Sequence, residues 1–550
     1  MPNIKWFNEV GIADVEDVGG KNASLGEMYR QLAGRGVSVP NGFATTAEAF
    51  HSFLTENGLD EYIADALDGL DTEDVDDLQK RAKAIRTAIR RCSLPRDFTD
   101  DVTAAYRRLS EEAGVDMVDV AVRSSATAED LPEASFAGQQ ETYLMIHGEA
   151  DVHDAILRCF SSLYTTRAVS YRVDMGIDET GIALSACVQR MVRSDKSSSG
   201  VIFTLDTDSG FPDVVYVTSA WGLGENIVQG KVVPDSFYVH KERLRDGFKP
   251  LVGRRLGAKE QTMSYDEEGH RITNFPTPPE LRNTMSISDE DVLALARWAL
   301  VIEDHYTEVH GRATPMDIEW AKDGITGELF IVQARPETVH SQTAGSGTMK
   351  IHHLRETSES LVEGLAVGKL IAVGKVRHVT DPREMNLVEV GDVLVTEMTD
   401  PDWEPVMKRA AALVTERGGR TSHAAIVARE LGIPAIVGTG PIGDVLVDGE
   451  MVTVSCSEGE IGHVYRGELP FEIEELDFDS LPQVETTLNL NVGDPSLAFT
   501  HAQLPSDGIG LARMEFIFAS HVGVHPLALT RPEKLTPMLQ RAVEAHTVGY

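Results

Sequence analysis

The sequence predicts a multidomain protein of mixed α/β and α+β class, on three observations. Its 550 residues are too many for a single hydrophobic core. Residues 45–115 follow helical periodicity, whereas later segments are mostly short strand-like runs separated by glycine turns. Two polar stretches interrupt these patterns and are predicted to be linkers, 341–359 and the acidic 468–486. The predicted domains are therefore 1–340, 360–467 and 487–550.

The first predicted domain begins with helices and continues with strands. Apolar residues between Glu73 and Arg91 recur at three- and four-residue steps, which marks one face of a helix: Val75, Leu78, Ala82, Ile85 and Ile89. Strand-like runs follow at 118–122, 183–192, 200–205, 214–218 and 329–332. In the last domain, 487–492 is predicted to be a buried strand and 508–518 another strand or turn.

The charge balance excludes some classes of partner. The chain has 87 acidic and 50 basic residues, a net charge of −37, and only 15 of the basic residues are lysines. Such a negative field disfavours nucleic acid and anionic membranes as partners. The acids are spread along the whole chain, so adaptation to a salty cytoplasm explains them better than an acidic partner-binding surface.

Cysteine usage and hydropathy indicate a reducing, cytoplasmic setting. No apolar run approaches membrane length, and the start MPNIKWFNEV lacks the features of a signal peptide. The four cysteines have no C-x-x-C spacing, which argues against a disulfide framework and a zinc site: Cys92, Cys159, Cys187 and Cys456.

The most informative segment is TERGGRTSHAAIVARELGIP, residues 415–434. It predicts a helix from about Ala424 to Leu431 that Gly432 caps and Pro434 ends. His423 then lies at the helix N-terminus, where free N–H groups and the helix dipole favour a phosphate on its imidazole.

The residues before His423 support a phosphorylated histidine. Arg420 can neutralise phosphate charge, and Thr421 and Ser422 can donate hydrogen bonds to it. A neutral imidazole is a competent nucleophile near pH 7. A lone histidine is more often a capping or surface residue, but the glycines, arginine and hydroxyls all favour the nucleophile.

Two strand-like runs at the end of the first domain predict a nucleotide site. Asp317 and Glu319 alternate on one strand face, as do Gln333 and Arg335 on another run. Acids opposite an amide and an arginine can hold Mg²⁺ and a transferring phosphate. A salt-bridged strand pair is the alternative.

Weaker signals for the same site precede these runs. Lys21 lies on a glycine-rich turn, GGKNASLG, which is not a Walker sequence. Arg123 is followed by hydroxyl side chains, and residues 135–139 suggest a flexible loop over phosphates. Each of these is equally consistent with an ordinary polar loop.

The histidine segment closely resembles the phosphohistidine domain of phosphoenolpyruvate synthases, pyruvate phosphate dikinases and related enzymes. GGRTSHAAIVARELGIPAIVG and the upstream TDPDWEPVMKRA resemble the synthase type, whereas the dikinases typically carry GGMTSHAAVVAR. Ser422 is a departure, because synthases often have cysteine there. The run MVRSDKSSSGVIFTLDTDSGFPDVVYVTSAWGLGENIVQGKVVPDSFYVHK, residues 191–241, also resembles the synthases.

The resemblance implies a role for each candidate residue. The family's nucleotide and phosphate residues match Lys21, Arg123, Asp317, Glu319, Gln333 and Arg335, and Glu225 is expected near the nucleotide. Mg²⁺ would bind with ATP, held by Glu319 and Gln333. The implied domains are an ATP-grasp domain over 1–340, a swivelling phosphohistidine domain over 360–467, and the start of a TIM barrel over 487–550.

The barrel segment carries one candidate substrate residue. Arg513 falls where the family keeps a substrate-binding arginine, although a salt-bridged strand arginine is the alternative reading. A TIM barrel needs about 250 residues, so the sequence is expected to be either a fragment or a chain that lacks the rest of this domain. A homodimer or a partner chain that supplies the remainder is a further expectation.

The resemblance implies that ATP, pyruvate and water give AMP, phosphoenolpyruvate and phosphate through phosphorylated His423. The alternatives are a self-charging phosphocarrier with a separate acceptor domain, and a pyruvate phosphate dikinase-like enzyme. A phosphotransferase for another small molecule, such as an antibiotic, is disfavoured because those enzymes usually place the histidine domain last.

The acidic composition predicts that salt stabilises the fold. Repulsion among 87 carboxylates should be screened by added ions, so Tm should rise steeply between dilute buffer and molar KCl. Differential scanning calorimetry at increasing KCl concentration measures this. A Tm that stays flat over that range would contradict the high-salt interpretation.

Overall fold

The computed structural model describes residues 2–546 except for 73, 128–129, 132–133, 136–140, 175–181, 267–270, 338–347, 382–383, 385–386, 401–402, 421, 444, 478–481, 483 and 519–522. The chain divides into two compact units. One consists of Met1–Arg193 and Ile318–Arg335, and the other of Ser194–Asp317 and Pro336–Tyr550.

The first unit contains an antiparallel five-stranded sheet covered by helices. The strands lie in the order Ile4–Trp6, Gly42–Thr45, Leu184–Arg190, Val120–Ala126 and Thr142–Ile146. The helices are Val15–Gln31, Ala47–Glu56, Leu59–Leu67, Val75–Arg91, Arg96–Ala113, Glu149–Ser162 and Thr166–Asp174, with short 3-10 turns at Phe7–Glu9, Ile12–Asp14 and Ala33–Arg35. A minor hairpin joins Asp130–Leu131 to Ala134–Ser135.

The predicted helical region of this unit is confirmed. Helices occupy most of residues 47–113, and the apolar face predicted for Val75–Arg91 is buried at Leu78, Ala82, Ile85 and Ile89. This face packs into one core with a cluster of aromatic rings around Phe160. Two neighbouring strands lie much later in the chain, Met316–Lys322 and Leu329–Pro336. Their residues 318–335 belong to the first unit.

The second unit begins with an antiparallel sheet in the order Leu251–Arg255, Asp235–His240, Val214–Trp221 and Ser198–Phe203. The long helix Asp289–His310 packs against this sheet. A hairpin pairs Gln261–Tyr265 with Ile272–Pro276. The shorter helices are Ser194–Lys196, Glu225–Val228, Lys241–Arg245 and Pro279–Arg282.

A closed seven-stranded barrel follows in the same unit. Its strands are ordered Ser360–Val367, Ala435–Val437, Ala412–Thr415, Val393–Thr396, Ile371–His378, Met451–Ser455 and Ile461–Arg466. Valines such as Val393, Val414 and Val454 fill one core cluster. A second core cluster lies beneath the helices Glu404–Met407 and His423–Leu431, so the barrel fixes the position of the histidine helix.

The two segments predicted as linkers pair with each other. Thr348–Leu354 and Phe471–Asp477 form an antiparallel ribbon. Polar side chains meet across it: His353 Nε2 is 3.1 Å from Glu474 Oε2, and Arg355, which follows the first strand, pairs with Glu472. The polar composition that suggested linkers is therefore, over these residues, that of a solvent-exposed strand pair.

The last segment forms a small parallel pair of strands, Asn489–Val492 and Gly508–Ala512. The prediction of a buried strand at 487–492 is wrong, because of residues 489–492 only Val492 is buried. Ile509 is 63% exposed, since each strand has only one neighbour. The remaining helices are Pro495–Leu497, Ala498–His501, Met514–Phe516, Pro526–Thr530, Pro532–Lys534 and Pro537–His546.

All four cysteines are free thiols, three of them buried. Among the described residues, no helix combines the length and the apolar character that crossing a bilayer requires.

Candidate active site

His423 is the first residue of the helix His423–Leu431, and local signals fix both helix ends. Ser422 is the N-cap, with its Oγ accepting a hydrogen bond from the Ala425 N–H at 3.4 Å. Gly432 takes the left-handed conformation at the C-terminus, with φ 66°. The predicted helix and its glycine cap are confirmed.

The His423 imidazole is held by a hydroxyl group. The side chain is buried, and Nδ1 lies 3.1 Å from Thr399 Oγ1. Either group can be the donor in this contact; in the tautomer whose Nδ1–H donates to the hydroxyl, the lone pair is on Nε2, which can then act as a nucleophile. Thr399 is the first residue of the TDPDWEPVMKRA motif. That motif is the feature of the sequence from which a role for Thr399 could have been predicted.

Arg420 forms a buried ion pair that the sequence did not reveal. Its Nη1 lies 2.8 Å from Asp208 Oδ2, and Arg429 Nη2 lies 2.7 Å from Asp208 Oδ1. Burial raises the pKa of Asp208, but the charges of Arg420 and Arg429 outweigh this and hold it below its ordinary value. Thr421, the other predicted phosphate donor, lies outside the described residues.

In the first unit, a break in a helix positions Lys21. The helix Val15–Gln31 is interrupted at Gly19, whose φ of 77° and ψ of 162° suit only glycine. A Cβ there would lie 2.4 Å from Ser125 Oγ, so the turn packs directly on the strand that carries Arg123. Lys21 and Arg123 both influence the pKa of the Cys187 thiol. Burial raises this pKa to about 12, while the positive charges of the two side chains act to lower it.

Arg123 links its strand to the two strands that carry the other candidates. Its Nη1 donates to the Val332 carbonyl at 3.1 Å, and its Nη2 lies 3.8 Å from Glu319 Oε2. Its buried Nε makes no hydrogen bond within the described part of the chain. The guanidinium therefore keeps donor capacity for a phosphate.

The candidate residues alternate with buried residues along their two strands, as the sequence predicts. Asp317 and Glu319 are half-buried between the buried residues Met316, Ile318 and Trp320. Gln333 and Arg335 are likewise half-buried on either side of buried Ala334. The turn with Lys21 reaches the same strand, since Ser24 Oγ donates to the Ala334 carbonyl at 2.7 Å.

Two further candidates lie in the second unit. Glu225 is exposed at the start of the helix Glu225–Val228 and accepts a hydrogen bond from Gln229 Nε2 at 2.7 Å. Arg513 is exposed at the N-cap of Met514–Phe516, with its guanidinium 5.9 Å from the centre of the Phe516 ring. Its backbone N–H donates to the Val492 carbonyl.

Comparison with known proteins shows the family to which this chain belongs. Residues 15–356 match the family described as "Pyruvate phosphate dikinase, AMP/ATP-binding domain", and residues 388–459 match "PEP-utilising enzyme, mobile domain". The phosphoenolpyruvate synthase of Neisseria meningitidis is 52% identical over the whole chain, and that of Escherichia coli is 50% identical over the whole chain. The chain belongs to the phosphoenolpyruvate synthase family.

This family consists of enzymes, and the chain spans about two thirds of its relatives' length. It covers 68% of the Neisseria and Escherichia coli synthases, and 63% of the Aquifex aeolicus synthase, which is 49% identical over 98% of the chain. The nucleotide-binding match contains Lys21, Arg123, Glu225 and the two candidate strands. The mobile-domain match contains Thr399, His423 and Arg429.

The geometry at Gly19 predicts a strong effect of a single methyl group. Gly19→Ala should destabilise the protein by about 2–3 kcal/mol, since both its backbone conformation and its contact with Ser125 forbid a side chain. Gly36→Ala is the matched control, because Gly36 also has positive φ but has no atom within 4 Å of a Cβ. It should cost about 1 kcal/mol. Denaturant unfolding of both variants measures the difference, and equal losses would contradict the close packing of the Lys21 turn.

Proposed function

We propose that this chain transfers a phosphoryl-bearing group from ATP to His423 and that pyruvate is the final acceptor, so that ATP, pyruvate and water give AMP, phosphoenolpyruvate and phosphate. The observation that carries the proposal is the position of His423 at a capped helix N-terminus, with Nδ1 against Thr399. The acceptor is proposed from the names of the relatives, which are phosphoenolpyruvate synthases.

The proposed charging step uses His423 Nε2 as the nucleophile. Nε2 forms a bond to the β-phosphorus of ATP while the bond from that phosphorus to the α,β-bridging oxygen breaks and AMP leaves. Water then removes the outer phosphate of the pyrophosphoryl group, and the inner phosphate passes to the oxygen of the pyruvate enolate. The helix N-terminus and Ser422 favour the anionic group on the imidazole.

The proposed nucleotide site consists of Lys21 and Arg123 with the strand residues Asp317, Glu319, Gln333 and Arg335; Glu225 is proposed to lie near the same nucleotide. The donor capacity of Arg123 supports phosphate binding there. Glu319 and Gln333 offer oxygen ligands on half-buried strand faces, and these fit a magnesium ion that shares its coordination with ATP phosphates. Mg²⁺ would draw negative charge from the phosphates during transfer.

The same proposal assigns the domains. Residues 1–340 would form the ATP-grasp domain, 360–467 the swivelling phosphohistidine domain, and 487–550 the beginning of a pyruvate-binding TIM barrel. The closed barrel with its histidine helix supports the second assignment. Arg513 is proposed to bind pyruvate, and its exposed guanidinium is available for a carboxylate.

Labelling of His423 tests the charging step. Incubation with Mg²⁺ and ATP labelled in the β-phosphate should give an acid-labile, base-stable label on one peptide, as expected of a phosphoramidate. His423→Ala should abolish the label, whereas His147→Ala should leave it unchanged, because His147 is exposed and its Nδ1 contacts the surface residue Asp119, at 2.9 Å. Following AMP and phosphoenolpyruvate separately, with and without pyruvate, distinguishes charging from the complete reaction. Label that persists in His423→Ala would overturn the assignment.

Removal of Arg123 tests the nucleotide site. Arg123→Ala should slow the labelling of His423 on the order of a hundredfold, because a preorganised cation no longer neutralises the transferring phosphate. Lys21→Ala, Glu319→Ala and Arg335→Ala should also slow it. Arg107→Ala is the control, since Arg107 is exposed and pairs with Glu149. A normal labelling rate in Arg123→Ala, measured by rapid quench, would mean that the nucleotide binds elsewhere.

A further inference from the structure

The loop 206–211, which follows the strand Ser198–Phe203, has a defined conformation. Asp206 Oδ2 accepts a hydrogen bond from the Ser209 N–H at 2.9 Å, and Asp206 Oδ1 accepts one from the Tyr238 hydroxyl at 3.1 Å. The side chain of Asp206 is buried, so these bonds are sheltered from water. The loop thereby holds Asp208 at a fixed position.

Asp208 binds the two arginines that flank the histidine. Arg420 precedes His423 on the loop, and Arg429 follows it on the helix. The side chain of Asp208 is only 13% exposed and that of Arg429 only 8%, so the pairs are largely desolvated. Arg429 Nη1 also donates to the Arg420 carbonyl at 2.6 Å, which ties the loop to the helix.

A second contact brings two backbones together without room for a side chain. Gly230 has φ 67°, and a Cβ on it would lie 2.0 Å from Ser422 Cβ and 2.7 Å from Ser422 Cα. A Cβ on Gly419 would lie 3.7 Å from Pro234 Cδ. Residues 230–234 therefore lie directly against the turn that precedes His423.

We propose that Asp208 and Gly230 together position His423 for the transfer of a phosphoryl-bearing group from ATP. We call these two residues the seat. Both belong to the stretch that matches the AMP/ATP-binding domain, whereas their partners Ser422 and Arg429 belong to the mobile-domain match. The seat acts on the histidine through Ser422, Arg420 and Arg429, so its members are positioning residues. This inference rests on the proposed function.

The seat has an expected kinetic signature. The helix His423–Leu431 has its own core beneath it, which includes Ala424, Ala428 and Leu413, so the histidine domain should fold without the seat. The seat is built from other residues than those assigned to ATP, so nucleotide affinity should be unchanged. Loss of the seat should therefore lower the fraction of molecules with His423 in place, and with it the rate of charging.

A methyl group at Gly230 gives the first test. Gly230→Ala should lower the single-turnover rate of His423 labelling by ATP at least tenfold, with the Kd of a non-hydrolysable ATP analogue unchanged. Gly247→Ala is the matched control, since Gly247 lies in the same unit with φ 86° and has no atom within 4 Å of a Cβ. The control should charge at the wild-type rate. Equal rates for both variants would overturn the seat.

The ion pairs give a second, independent test. Asp208→Asn should also slow charging at least tenfold, because the largely desolvated Arg429 loses its counter-charge and Arg420 keeps only the longer pair with Glu460 at 3.6 Å. Arg429→Gln should slow charging as well, and the double variant should lose less than the two single losses combined, because both changes remove the Asp208–Arg429 pair. Asp304→Asn, which breaks the exposed pair with Arg245, should have no effect. Additive losses in the double variant would contradict a shared contact.

The outcomes separate the seat from the proposed function. If the wild-type chain takes no label from ATP on His423, the proposed function fails. If the wild type is labelled and both Gly230→Ala and Asp208→Asn charge normally, only the seat fails. Weakened binding of the ATP analogue in these variants would also contradict it, because the residues would then act on the nucleotide site.

Discussion

The close approach of two backbones at Gly230 and Ser422 is the constraint on which the histidine's surroundings depend. A Cβ on Gly230 would have no space beside Ser422, and Gly418, whose φ is 117°, also lies close to the Ser422 side chain. Ser422 is the helix cap and His423 the first helical residue. The barrel beneath the helix makes the arrangement rigid, because its core contacts the helix along one side. Steric exclusion at Gly230 therefore restricts Ser422, and the contact with Thr399 holds the imidazole of the next residue.

The charge around certain side chains differs in sign from the net charge of the whole chain. The whole chain carries a net charge of −37, yet Lys21 and Arg123 lie together beside Cys187 and oppose its pKa shift. Beside the histidine helix, Asp208 pairs with two arginines, Arg420 and Arg429. Added salt screens the exposed carboxylates but reaches such buried groups much less. A protein of this composition can thus still have locally positive sites, and Lys21 and Arg123 make one at the proposed nucleotide site.

Structural features that depend on residues adjacent in the chain could be predicted from the sequence. Contacts between residues that are far apart in the chain could not. The helix at His423 was predictable because Gly432 and Pro434 mark its end, and the alternation of Asp317 and Glu319 because it needs only one strand. Asp208 was missed, since nothing near it in the chain indicates that it meets Arg420 and Arg429. The exposure of the strand at 489–492 was predicted wrongly because apolar residues alone do not reveal how many strands will cover them. The predicted phosphate loop 135–139 lies largely outside the described residues.

The ribbon between Thr348–Leu354 and Phe471–Asp477 has a consequence for the protein's ancestry. The chain enters and leaves the closed barrel through two adjacent, hydrogen-bonded strands. A unit whose ends meet can be inserted into another chain, or removed from it, without stretching the host backbone. The stretch between these strands has the architecture of a transferable cassette, with its own core and the proposed nucleophile, His423. Gene rearrangement could therefore combine such a cassette with different nucleotide-binding and acceptor partners while keeping the chemistry of its histidine.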